Sequence, residues 1–206
     1  MFTFISLVIL IFSVIIHEVS HGYMADYLGD PTARLQGRLT LNPIKHIDPI
    51  GSILVPIITS LAGFTFGWAK PVPFNPYNLK HKRIGEFLIA IAGPISNISI
   101  ALVFGLAIRI VSAYAEPSAG VTSFIEIVSY IVIINIVLAV FNIVPLPPLD
   151  GSKLLFSILP DRHGRFREVL ESYAPIWVLI MVFFLWQFLW PVVPFLFKLI
   201  TGAGAM

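Results

Sequence analysis

The chain has 206 residues, of which 57% are hydrophobic and only 12% charged, with a net charge of +2 and no cysteine. An ordinary soluble domain carries roughly 25% charged residues, so the composition excludes that class and points to a single membrane domain over residues 1–206. Disulfides and thiolate metal ligands are excluded outright, and no nucleic-acid partner is expected.

The first apolar run, Phe2–Met24, is long enough to cross about 30 Å of hydrocarbon as a helix. It lacks the basic start and small-residue cleavage site of a signal peptide, so a retained span is expected. Near its end stands His17-Glu18-Val19-Ser20-His21. Residues four apart share a helix face, so His17 and His21 can offer imidazole nitrogens to one metal. Glu18 can flank that metal and accept a proton from its water. The plain alternative is a chance grouping on a polar face. After an uncharged run, however, two imidazoles and a carboxylate are costly to bury without a metal or partners. Zinc needs a third protein ligand and an open position, and here that ligand must be His, Asp or Glu. Asp26 and Asp30 read as a helix cap and loop, and His46, His81 and His163 as surface-loop residues.

Gln36–Leu41 reads as a short extended segment at the membrane surface. The apolar run Ile50–Phe66 has Pro56 in its middle and Gly51, Gly63 and Gly67 around its edges, which favours a broken or re-entrant element over a fifth span. Trp68–Asn78 carries Pro71, Pro73 and Pro76. Proline removes backbone donors and disfavours helix at the preceding residue, so a turn or edge strand is expected. With Ile50–Phe66 re-entrant, the basic residues from Arg34 to Arg83 and from Lys153 to Arg167 share one face, leaving Arg109 and Lys198 on the other. The positive-inside rule then puts the N-terminus outside and the basic loops in the cytoplasm.

The second span, Phe87–Ile108, contains Ala92-Gly93-Pro94-Ile95-Ser96-Asn97. Gly-Pro kinks a helix and small residues allow close packing. Asn97, a turn deeper, reads equally as an interhelical hydrogen bond or as part of a site, and Asn142 carries the same two readings. The third span, Phe124–Val144, runs into Asn142-Ile143-Val144-Pro145-Leu146-Pro147-Pro148-Leu149-Asp150-Gly151. Alone, Asp150 reads as a cap on Ser152–Ile158. Beside a two-histidine site lacking a third ligand, it becomes the leading candidate for that ligand. Asp161–Ser172 fits a short interfacial helix. Ala174–Phe197 is the fourth span, with Trp177 and Trp190 toward its two ends. The expected fold is therefore all-α and polytopic: about four transmembrane helices, a re-entrant or fifth apolar segment, and short membrane-surface β elements.

HEVSH, Gly93-Pro94-x-x-Asn97 and Asn142-x-x-Pro145-x-Pro147-Pro148-Leu149-Asp150-Gly151, in this order and in apolar context, resemble the site-2 protease family of intramembrane zinc metalloproteases. Gly67-Trp68-Ala69-Lys70-Pro71-Val72-Pro73 looks like the surface loop of its short prokaryotic members. The resemblance implies that His17, His21 and Asp150 bind one zinc, that Glu18 is the catalytic acid/base, and that Asn97 and Asn142 line the site for substrate or oxyanion. Within these 206 residues no PDZ or CBS domain of the larger relatives is expected.

The expected activity is peptide hydrolysis by zinc-activated water, with Glu18 as general base, in or near a transmembrane segment of a membrane-protein substrate. The active site is expected in the cytoplasmic half of a multi-pass cell-membrane protein. Trp68–Asn78 is placed to hold an unwound substrate strand by edge pairing. A transporter needs a continuous polar pathway and commonly shows repeated halves, neither of which is visible. A di-metal oxidase needs more than the five histidines present. A catalytically inactive scaffold retaining the motif is the remaining alternative. The sequence specifies neither the substrate nor the oligomeric state.

Overall fold

The computed structural model of the protein describes residues 2–61, 67–160 and 164–202. Parts of two expected segments, 62–66 of the apolar run Ile50–Phe66 and 161–163 with His163, lie outside the described residues. The first helix, α1, is Phe2–Tyr27. Gly29, at φ +104°, ends it by turning the chain so that the Asp30 N–H reaches the Ala25 carbonyl. A short α2, Thr32–Leu35, follows.

A π-helical stretch, Pro49–Leu54, runs into α3, Val55–Leu61. Together they reach about 20 Å at 1.5 Å per residue, short of the roughly 30 Å of a bilayer core. The chain is back at its starting level by Trp68, whose N–H bonds the Gly51 carbonyl at 3.0 Å while Ser52 Oγ bonds the Trp68 carbonyl. Gly51 makes this closure possible, since a Cβ there would lie 2.2 Å from the Trp68 ring. The described flanks of this apolar run thus meet at one place.

The long helices α4 (Lys82–Tyr114) and α5 (Ala119–Asn142) pack against each other and against α1. Ser118 caps α5, accepting a hydrogen bond from Val121 N–H. These are the three helices long and apolar enough to cross a membrane among the described residues. Then come α6 (Asp150–Ile158), α7 (Gly164–Ser172), whose residues face outward, and α8 (Ala174–Ile180). After a π-helical stretch, Met181–Leu185, the chain forms α9 (Trp186–Leu189) and, past a turn at Trp190 and Pro191, α10 (Val192–Thr201).

The single span expected over Ala174–Phe197 is therefore segmented. Pro191 opens a new helix there instead of continuing the old one. Its product, α10, inserts Val193, Phe197 and Ile200 into a core with Ala101, Ile108, Val128, Val132 and Ile136 of α4 and α5.

The long helices turn apolar side chains outward and hold a polar group among their buried residues. Phe4, Phe12, Val103 and Ile110 are exposed, while Ser13, His17, Asn97 and Asn135 are buried. Lipid-facing helices give this distribution. The protein is all-α and membrane-like.

The expected β elements are not found, and no strand forms among the described residues. Residues 36–41 form turns and bends, and 67–75 lack regular structure before a 3-10 turn at Pro76–Asn78. Side chains fix the second of these segments instead of a strand ladder. Arg38, itself buried, donates to the Lys70 and Pro71 carbonyls, and Lys70 N–H bonds the His46 carbonyl. His46 is thereby buried instead of lying in a surface loop, with Nε2 on the Thr40 carbonyl.

Asp30 is likewise more than a loop residue. Fully buried, it accepts hydrogens from Thr32, from the Asn75 backbone and from Asn78 Nδ2. Burial alone would raise its pKa, but those donors outweigh it and hold the carboxyl below its ordinary value. It pins the far end of the proline-rich segment to the end of α1.

Candidate metal centre

Helix α1 presents His17 and His21 one turn apart on its buried face, with their rings edge-to-face at 4.7 Å between centroids. Asp150 arrives from 129 residues beyond His21, at the first turn of α6. The approach depends on Gly151, where a Cβ would lie 2.2 Å from the Ile143 and Val144 carbonyl oxygens, so the start of α6 lies directly on the preceding turn. Asp150 does not cap α6, whose N-cap position is Leu149. Its Oδ2 lies 2.9 Å from His17 Nε2 and 3.0 Å from His21 Nε2, while Lys153 Nζ holds Oδ1 at 3.0 Å.

The protonation of the rings decides what this cluster is for. His21 Nδ1 is 2.6 Å from the Ile89 carbonyl, which can only accept, so Nδ1 carries the hydrogen. His17 Nδ1 is 2.6 Å from Asn97 Oδ1 and is likewise the donor. In the neutral rings both Nε2 atoms then bear lone pairs, 3.1 Å apart and facing a carboxylate oxygen. With both rings neutral, three acceptors converge with no hydrogen between them. That arrangement calls for a cation, and two imidazoles with one carboxylate fit zinc with a position left open for water. Tetrahedral ligation at about 2.1 Å implies ligand separations of roughly 3.4 Å, a small opening of the present cluster.

Glu18, half-buried on the same helix, stands outside this trio. Its Oε2 accepts the Val72 N–H at 2.9 Å.

Comparison with known proteins agrees with the geometry. The sequence model of peptidase family M50 matches residues 106–188. "Putative zinc metalloprotease YwhC" of Bacillus subtilis is 41% identical over 177 residues, covering 84% of this chain and 77% of that protein. The chain belongs to peptidase family M50, the site-2 protease family. "Putative zinc metalloprotease Rip2" of Mycolicibacterium smegmatis is 30% identical, covering 68% of this chain and 51% of the relative. "Zinc metalloprotease MJ0392" of Methanocaldococcus jannaschii is 25% identical, covering 76% of this chain and 35% of the relative. The chain thus spans about three quarters of the first of these proteins, half of the second and a third of the last. No solved structure matches.

In this M50 peptidase the structure brings together His17, His21 and Asp150, with Asn97 behind His17 and Glu18 beside it. It does not bring Asn142 into that group of contacts. The Asn142 amide donates to the Leu138 carbonyl of its own helix. Sequence reasoning missed Ser13 and Asn135, both buried against Asn97. The available signal was a lone amide in the middle of the apolar run of α5.

It also missed why Gly93 precedes Pro94. A Cβ at position 93 would stand 2.5 Å from both His17 Cε1 and His21 Nε2, so glycine lets α4 lie directly over the two rings. Pro94 withholds the N–H that would bond Ala90, and in that turn Ile89 offers its carbonyl to His21. Gly93→Ala is expected to push the rings out of line at a cost of about 1–3 kcal/mol. That corresponds to about a ten- to hundredfold loss of zinc affinity, measurable by chelator competition. Wild-type affinity in Gly93→Ala would show that the rings have room to move.

Proposed function

We propose that the protein is an intramembrane zinc metalloprotease that hydrolyses peptide bonds in or near transmembrane segments of membrane proteins. The observation that carries this reading is the buried convergence of three acceptors on one point within an apolar helix bundle. His17 Nε2, His21 Nε2 and an Asp150 oxygen hold one zinc. When bound, zinc supplies the Lewis acidity that makes water a nucleophile near neutral pH and polarises the scissile carbonyl.

Glu18 takes the proton of the attacking water on its carboxylate and returns it to the leaving amine. His17 Nδ1–H and His21 Nδ1–H stay bonded to Asn97 and Ile89 throughout, holding both rings in the ligating tautomer. Asn97 is given this supporting role in preference to an oxyanion contact, because its amide hydrogens face Asn135 and Ser13. Asn142 keeps its proposed place near the substrate on the strength of the sequence pattern alone.

A substrate helix keeps its carbonyls hydrogen-bonded, since unpaired groups in lipid cost several kcal/mol, so it must unwind before attack. The proline-rich segment beside Glu18 lies where the unwound strand arrives. It is a tethered support, since Trp68, Lys70, Pro71 and Val72 already bond to the rest of the protein. The distribution of basic residues supports a multi-pass cell-membrane protein with the site in its cytoplasmic half.

Reconstitution with a single-span substrate in liposomes tests the reading. The cut is expected within or at the edge of the span and faster when helix-weakening residues flank it. Equal cleavage of stabilised and weakened helices would remove the unwinding requirement. Absence of any cut at full zinc loading would leave the inactive-scaffold alternative. In intact cells, a cysteine placed at position 45 should react with an impermeant reagent only once the reagent is admitted to the cytoplasmic face. Reaction from the other face would invert the topology.

A further inference from the structure

Behind His17 a chain of amides crosses from α1 to α4 to α5. Asn97 and Asn135 are both fully buried, and Ser13 nearly so. Asn135 Nδ2 donates to the Ile131 carbonyl at 2.8 Å and to Ser13 Oγ at 3.0 Å. Its Oδ1 receives the Asn97 amide at 2.8 Å, and that amide also lies 3.4 Å from the Ser13 carbonyl. Asn97 Oδ1 meets His17 Nδ1 at 2.6 Å.

The direction of such a chain is ordinarily ambiguous, because a carboxamide can be turned end for end. Here one end settles it. A backbone carbonyl only accepts, so Asn135 must turn its NH2 toward Ile131 and its oxygen toward Asn97. Asn97 must then offer NH2 to Asn135 and oxygen to His17. His17 must carry its hydrogen on Nδ1, leaving the Nε2 lone pair aimed at Asp150 and His21. His21 receives the same instruction in one step, from the Ile89 carbonyl.

We propose that Asn135 is a positioning residue of the metal centre, which sets the tautomer of His17 from two residues away by fixing the Asn97 amide. The inference deepens the zinc-protease reading and rests on it, but its first readout needs no metal. Without the Asn135 oxygen, only the long 3.4 Å contact to the Ser13 carbonyl opposes rotation of the Asn97 amide, which can then offer its NH2 to His17. The ring then shifts its hydrogen to Nε2, where it blocks ligation.

The test uses full-length protein labelled with 15N-histidine, in which imidazole nitrogen shifts distinguish protonated from bare ring nitrogens. Metal-free wild type, measured at a pH high enough to keep its histidines neutral, is expected to show His17 as a single Nδ1–H tautomer. Asn135→Leu should show a mixture and bind zinc about ten- to hundredfold more weakly, the scale of losing an outer partner. Asn135→Ala, in which water can fill the gap and serve either amide orientation, gives the same readout if the leucine variant does not fold. Asn135→Asp, held neutral by full burial and donating its O–H to the Ile131 carbonyl, keeps an acceptor facing Asn97 and should restore both the tautomer and the affinity. Val132→Ala, a truncation at a fully buried neighbour on the same helix, should lower stability and leave the tautomer alone. A single Nδ1–H tautomer in both Asn135→Leu and Asn135→Ala overturns the proposal, whatever happens to zinc. Weaker zinc binding with an unchanged tautomer overturns it too, because that is the signature of packing. Wild type that shows the tautomer yet takes up no zinc overturns the metalloprotease reading and upholds the relay.

Discussion

Glu18→Gln is expected to leave about one zinc per chain and to slow peptide hydrolysis by about 10²–10⁴-fold, the usual range for removing a general base. The substitution is conservative in every respect but basicity. Gln keeps an oxygen that can accept the Val72 N–H now bonded to Glu18 Oε2, so the proline-rich segment should stay where it is. The three-acceptor cluster is untouched, because Glu18 stands outside it. Elemental analysis and cleavage of a reconstituted substrate, on the same preparation, separate the two effects. Substantial turnover by Glu18→Gln would give the base to another group. Loss of zinc would move Glu18 into the metal site itself.

Asp150→Ala is expected to abolish both zinc retention and cleavage. The loss should exceed the 10–100-fold that removal of an outer partner costs, since a ligand itself is deleted. It also strips Lys153 of its partner 3.0 Å away. Asp150→Asn gives the sharper comparison. Its amide supplies the hydrogen that the trio lacks, and can donate to His17 Nε2 or His21 Nε2. Metal-free Asp150→Asn should therefore unfold at the same or a higher temperature than metal-free wild type, while taking up zinc poorly. Full zinc content in Asp150→Ala would remove this carboxylate from the centre.

The residues of the site were legible because their chemistry conflicts with their surroundings. Two histidines four apart after an uncharged run, and an aspartate reached through three prolines, are costly in a membrane unless they meet. Asn97 was legible as a polar group but not in its role, since spacing along one helix says nothing about which neighbour faces an amide. Asn135 needed the packing of α5 against α4 before its partner could be named. The last span was misjudged for the opposite reason. Hydropathy runs unbroken from Ala174 to Phe197, and only Pro191 marks where the backbone starts a separate helix. Trp68–Asn78 was expected to be a turn or an edge strand, and no strand forms there because its geometry comes from Arg38, Asp30 and Glu18, residues distant in sequence. His46 and Asp30 were assigned to loops because a polar residue between apolar runs is usually solvated.

Between Pro71 and Pro73 the Val72 N–H is the only backbone hydrogen that stretch possesses, and it lies on the catalytic candidate Glu18. The bond belongs to the main chain, so lineages are free to vary the side chain at 72 among modest apolar residues. Proline is barred there, because a third imino acid in the row would leave the carboxylate without its tether. Position 22 cannot drift alone either. A Cβ on Gly22 would fall 2.7 Å from the Val72 Cγ1 and 2.6 Å from Leu39 Cδ2, so enlargement at 22 has to be accompanied by shrinkage at 72 and 39. Across descendants of this chain, 22, 39 and 72 should therefore change as a covarying set, while the glutamate tethered by the residue 72 backbone stays fixed.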